Sequence, residues 1–277
     1  MRRWMLSSFI VFALLAPPVL LVAQQGVGAP PPGTAPAAQG GVQGGVPGGV
    51  PGAAPGAPGA RGARGPAGPP SPANVPLARD DARHRTFVEI AKGAPIELLF
   101  VGDSITDGWR QAGQPVWDAN WAPYKAANFG IGGDTTQGVL WRMQNGELDG
   151  YKAKLIVLML GTNNINRNPN DEIVDGDRLI VEEFKKRQPT AKVLILGIFP
   201  RTQQASEPIR ASIKDINSKL AKLADNKQVF FMDIGEKFLT PDGTLTPEIM
   251  PDGLHPNLRG YKIWAEAISP RVKELMK

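Results

Sequence analysis

The sequence predicts an α/β fold built on a parallel sheet with helices on both faces. Three observations carry that expectation. From position 77 onward, short apolar runs alternate with longer amphipathic stretches, the pattern of repeated strand–helix units. The apolar runs lack polar alternation, as strands covered on both faces do. Small polar clusters follow the runs, where sheets of this kind place their functional residues.

Residues 1–25 read as an export signal. Arg2 and Arg3 precede an uncharged apolar run over 7–23, and Ala23 offers a small residue for cleavage. The competing reading is an uncleaved membrane anchor, although Pro17 and Pro18 interrupt the run. Residues 26–76 hold 15 Gly and 13 Pro in 51 positions. That composition cannot bury enough apolar surface to offset its ordering entropy, so a disordered linker is expected. Residues 56–70 form five G-X-Y triplets, but Pro55 breaks the frame and collagen needs long, strict repetition.

The folded domain is expected over 77–277. Strands are predicted at 96–101, 126–129, 155–160, 193–199 and 229–234. Helices are predicted at about 135–148, 171–187 and 258–276. The clearest helix carries Ile209, Ile213, Ile216, Leu220 and Leu223 at steps of four and three, a one-sided apolar stripe.

Composition then removes whole classes of chemistry. The formal charge is +5, but four arginines and no acids lie in residues 1–76, leaving +1 for the rest. The basic balance therefore gives no support for a nucleic-acid partner. Without cysteine there is no thiol nucleophile, Cys-ligated metal, disulfide framework or lipidated Cys anchor. His84 and His255 are the only imidazoles. His84 precedes the first strand in a charged helical stretch and reads as structural.

Four clusters should meet at the carboxyl edge of the sheet: residues 102–105, 130–134, 161–164 and 252–256. Ser104, at a strand-to-helix turn, suits a nucleophile, since developing negative charge is favoured at a helix N-terminus. A plain helix cap is the competing role. Asp252, three residues before His255, can hold the imidazole tautomer and stabilise the imidazolium formed when His255 takes the serine proton. It can also be a turn or capping aspartate. The Gly133 N–H, the Asn163 side-chain amide and the Ser104 N–H can serve as oxyanion donors. The alternatives are a tight turn at Gly132–Gly133 and an Asx-turn at Asn163. Thr106 excludes a G-x-S-x-G elbow, Thr135 a dinucleotide loop, and a missing lysine a Walker loop.

These blocks, in this order, resemble the SGNH hydrolases, also called the GDSL esterase/lipase family. The match runs over nearly all of 84–270 and is closest to the branch of the platelet-activating factor acetylhydrolase catalytic subunits. It is carried by 102–104, 128–136, 140–142, 145–148, 161–164 and 252–255. The resemblance implies a three-layer α/β/α sandwich around a five-stranded parallel sheet, as in flavodoxin. It implies a triad of Ser104, Asp252 and His255, oxyanion donors at Ser104, Gly133 and Asn163, and no metal or cofactor. The leader and long linker depart from that branch.

The function expected is a secreted or periplasmic serine esterase, membrane-tethered if the leader stays uncleaved. Its partner is a small-molecule or carbohydrate acyl ester, with acetyl the favoured acyl group. A lysophospholipase or thioesterase is the enzymatic alternative. A non-catalytic cell-surface binding module is a second, and an intact set of five site residues argues against it. A metal phosphatase using Asp103, Asp107 and Asp134 is a third, and it lacks supporting histidines. The sequence leaves the oligomeric state open, a homodimer included.

Overall fold

Five of the apolar runs become five parallel strands in the computed structural model, which describes residues 70–277. The expected export signal at 1–25 and most of the expected linker lie outside the described residues. The strands are β1 (Leu98–Gly102), β2 (Ala126–Gly130), β3 (Leu155–Met159), β4 (Lys192–Leu196) and β5 (Val229–Met232). Their order in the sheet is β2-β1-β3-β4-β5. Leu98 pairs with Ala126 on one side and with Leu155 on the other. The chain steps outward from β1 to β2 and then returns to β3. The order therefore reverses between β1 and β3, which opens a crevice at their carboxyl ends.

The helices are α1 (Ala82–Gly93), α2 (Ser104–Asp107), α3 (Gln114–Asn120), α4 (Thr136–Gln144), α5 (Asn170–Arg187), α6 (Pro208–Leu220) and α7 (Leu258–Leu275). Alternate strand residues point to opposite faces, and the two faces bury different chemistry. Leu99, Val101, Ile156, Leu158 and Ile195 pack with α1, α4, α5 and α6. Leu98, Phe100, Val157, Leu194 and Leu196 pack with α2, α3 and α7, where Trp109, Trp117, Trp121, Tyr261 and Trp264 cluster. This is the expected three-layer sandwich. No helix among the described residues is long and apolar enough to cross a membrane.

Several boundaries differ from the sequence expectation for local reasons. The helix expected to reach 148 stops at Gln144, because Gly146 turns the chain at φ +100°. The short helix α3 has no long apolar period and is not anticipated, and the helix expected to start at Ser104 is a single turn, α2. Between them, Arg110 reaches over the edge strand and donates to the Asn128 and Gly130 carbonyls. That cover occupies acceptors which would otherwise template a foreign strand.

The domain's contacts also begin upstream of the expected boundary at 77. Ala73 is fully buried. Its N–H donates to Glu172 Oε2 at 3.2 Å and its carbonyl accepts from Thr136 Oγ1 at 2.6 Å. The Ser71 carbonyl accepts from Gln137 and Asn168, and Asn74 donates to Asp175. Residues 71–77 thus form a strap across the starts of α4 and α5. A count of Gly and Pro cannot detect such hydrogen bonds.

Candidate active site

Ser104 stands at the carboxyl end of β1, on the first turn of α2. The helix cap is its neighbour Asp103, whose Oδ1 accepts the Ile105 N–H at 3.0 Å. The Ser104 hydroxyl is thereby left for another partner. The α7 residue Tyr261 donates to the Ile105 carbonyl at 2.7 Å and ties this turn to the last helix. Burial, with the nearby Asp134 carboxylate, pushes Asp103 up to about 7, against the Ile105 amide and His255.

Asp252 and His255 lie in the turn before α7, which is capped by Asn257. Asp252 Oδ1 accepts the Leu254 and His255 amides at 3.0 and 2.7 Å, and its Oδ2 meets His255 Nδ1 at 2.6 Å. Burial pushes the Asp252 carboxyl up, but the His255 and Leu254 hydrogen bonds hold it below the usual range. With Nδ1 facing a carboxylate, the ring proton is assigned there. Nε2 then faces Ser104 Oγ at 2.9 Å with its lone pair. Thr202 supports the turn from β4's loop, donating to the Gly253 carbonyl at 2.7 Å. Thr202 itself has φ +65°, an uncommon conformation for a β-branched residue.

Gly133 and Asn163 flank the same crevice from the ends of β2 and β3. Gly133 has φ +72°, and a Cβ built there meets nothing within 4 Å. The residue is exposed, with open space beside its Cα. Asn163 forms no Asx-turn; its Nδ2 crosses to the Asp134 carbonyl at 2.8 Å. An amide nitrogen carries two hydrogens, so one remains to donate elsewhere. Asn164 joins the same two loops, accepting from the Thr136 N–H at 3.1 Å and donating to Gln137 at 2.8 Å.

Beneath these loops lies a buried ion network. Asp134 Oδ2 accepts from Arg142 Nε at 2.9 Å, Arg142 pairs with Glu147, and Glu147 meets His84 Nδ1 at 2.8 Å. Arg142 also donates to the Phe129 carbonyl at 3.1 Å. His84 is buried, away from Ser104, and built into this network. The three acids weighed for a metal site are separately engaged: Asp103 caps α2, Asp107 pairs with Arg110, and Asp134 pairs with Arg142.

Three residues at the site lie outside the sequence motifs. Arg79 donates to the Gly132 carbonyl. Arg201 touches the Thr162 carbonyl and hydroxyl at 3.3 and 3.4 Å. Tyr261 reaches the serine turn from α7. Arg201 follows an apolar run, so its position carried a usable signal; Arg79 and Tyr261 carried none.

The sequence pattern of the GDSL-like lipase/acylhydrolase family matches residues 100–263, which include every residue named above for the site and its ion network except Arg79 and His84. The chain belongs to that family. The acylhydrolase is 36% identical over 218 residues to the platelet-activating factor acetylhydrolase IB subunit alpha2 of Rattus norvegicus, spanning 74% of this chain and 92% of that protein. It is 37% identical over 179 residues to subunit alpha1 of Bos taurus, spanning 64% and 75%. A GDSL-like lipase from Bacteroides thetaiotaomicron superposes with a TM-score of 0.55 at 20% identity, covering 69% of this chain and 97% of that one. The acetylxylan esterase Axe2 of Geobacillus stearothermophilus superposes with a TM-score of 0.52 at 21% identity, covering 67% and 96%. At such identities the likeness is one of fold.

Proposed function

We propose that this acylhydrolase is an exported serine esterase that removes short acyl groups, acetyl above all, from carbohydrate esters. The observation that carries the reading is the hydrogen-bonded chain from Ser104 Oγ to His255 Nε2 and from His255 Nδ1 to Asp252, at 2.9 and 2.6 Å. In the acylation step His255 takes the Ser104 proton as Oγ attacks the ester carbonyl. Asp252 stabilises the imidazolium. The carbonyl oxygen gains negative charge, which the Ser104 N–H, Gly133 N–H and Asn163 amide receive. His255 returns the proton to the leaving alcohol. Water, activated by His255, then releases the acyl group from Ser104.

Two kinds of relative bear names that include the acetyl group, the acetylhydrolase subunits and the acetylxylan esterase. That shared element favours acetyl as the acyl half. Export rests on Arg2, Arg3 and the apolar run that follows them.

The test is hydrolysis of p-nitrophenyl acetate, butyrate and octanoate beside acetylated xylo-oligosaccharides. Acetate should be preferred over octanoate, and acetylated sugar should release acetate. Ser104→Ala should lower kcat by roughly 10⁴-fold or more, since it removes the covalent route. Activity that survives in Ser104→Ala, or that EDTA abolishes and a divalent ion restores, would overturn the reading.

A further inference from the structure

Arg79 lies against the carbonyl side of the Gly132–Gly133 peptide. Its Nη2 donates to the Gly132 carbonyl at 3.1 Å. Its Nη1 donates to Asp134 Oδ1 at 3.4 Å, and its Nε lies 3.3 Å from Asp81 Oδ2, an ion pair without a hydrogen bond. The backbone behind it is fixed as well, because the Leu77 N–H donates to the Gln137 carbonyl at 3.1 Å.

A peptide unit is planar and trans, so the Gly132 carbonyl and the Gly133 N–H point in opposite directions within one rigid plane. Whatever fixes the carbonyl aims the N–H. This peptide needs such a constraint, because neither flanking residue has a Cβ to set its orientation. Both glycines also have open space where a Cβ would stand.

A second observation shows that the surroundings are shaped for this contact. Gly138 occupies α4, where alanine is the better helix former. A Cβ at Gly138 would lie 2.3 Å from Asp134 Oδ1 and 3.3 Å from Arg79 Cδ. The absent side chain leaves room for the carboxylate and for the arginine stem.

We propose that Arg79 is a positioning residue of the oxyanion hole. By holding the Gly132 carbonyl it aims the Gly133 N–H into the crevice. As a cation at the carbonyl end of that peptide, it also polarises the N–H into a stronger donor. This rests on the serine esterase reading and adds to it a residue outside the family motifs.

The test compares Arg79→Met and Arg79→Lys with wild type on p-nitrophenyl acetate, with active sites counted by a fluorophosphonate. Arg79→Met keeps the apolar stem and removes the donors. Its kcat should fall about 10- to 100-fold, part of the roughly 10²–10³-fold that follows loss of an oxyanion donor, with KM nearly unchanged. The Ki of an alkylboronic acid, which forms a tetrahedral adduct on serine, should rise in step with the fall in kcat/KM. Arg79→Lys should recover part of the loss but stay below wild type, since an ammonium cannot reproduce the planar fork. A merely structural arginine would lower Tm and leave kcat per active site and boronate Ki unchanged, and that result overturns the proposal. Should Arg79→Met not fold, wild-type kcat and Ki in Arg79→Lys overturn it equally. If the wild type hydrolyses no ester, the earlier reading fails; if its activity needs Ser104 but not Arg79, only this one does.

Discussion

The two faces of the sheet support the site by different means. On one face, Trp109, Trp117, Trp121, Tyr261 and Trp264 pack beneath the turn that carries Ser104 and the helix that follows His255. Apolar mass holds those elements, with Tyr261 supplying one directed bond. On the other face, the Gly133 and Asn163 loops stand over Asp134, Arg142, Glu147 and His84, all buried. Packing is non-directional, whereas a charged hydrogen bond has a required geometry. In the proposed mechanism Ser104 has a partner within the protein, the His255 ring, whereas the Gly133 and Asn163 donors meet their target only when substrate arrives. Those two donors stand on the face with the ion network.

The contrast can be broken most forcefully at Arg142. Arg142→Met takes the buried cation away from two carboxylates, Asp134 and Glu147, leaving them only the side chains of Arg79 and His84, and should lower stability by about 3 kcal/mol, read by urea denaturation. The aromatic face is probed by Tyr261→Phe, which keeps the ring and leaves the Ile105 carbonyl without its donor. About 1–2 kcal/mol should be lost. If Arg142→Met proves no more damaging than Tyr261→Phe, the polar face is not the more demanding of the two.

The smallest effect should be a gain. Asp177 is buried in α5 with Oδ1 unpartnered. Burial, with Asp103 nearby, holds its carboxyl well above the ordinary carboxylate value of 3.8. The folded state therefore keeps a proton that the unfolded chain has lost, and stability falls as pH rises above about 4. Asp177→Asn removes that penalty. It should raise stability by about 1 kcal/mol at pH 8, and the gain should shrink as pH is lowered toward 4. A gain independent of pH would exclude the carboxyl as its source.

The sheet was legible in the sequence because strands buried on both faces leave uninterrupted apolar runs, as at 155–160. The stripe from Ile209 to Leu223 announced α6 in the same way. The serine, the Asp252–His255 pair and the glycine and asparagine turns were legible because each follows a run or precedes a helix. The strap and Arg79 were not. Their roles depend on hydrogen bonds between residues tens of positions apart, such as Arg79 to Gly132 and Ala73 to Thr136. Such bonds leave no periodicity. The helix α2 is too short to show a period, and the capping role that competes for Ser104 falls to Asp103 instead.

The strap also decides where the domain can be gripped. Its anchor points, Gln137 at the start of α4 and Asn168 in the loop after β3, both lie at the carboxyl edge of the sheet. Residues 71–77 thus meet the domain beside the crevice and not at the opposite pole. A fusion partner, affinity tag or surface linker placed on the N-terminal side shares that edge with incoming substrate. A spacer there sets access to the crevice as well as reach, and a cut made at 77 would remove the strap's own hydrogen bonds.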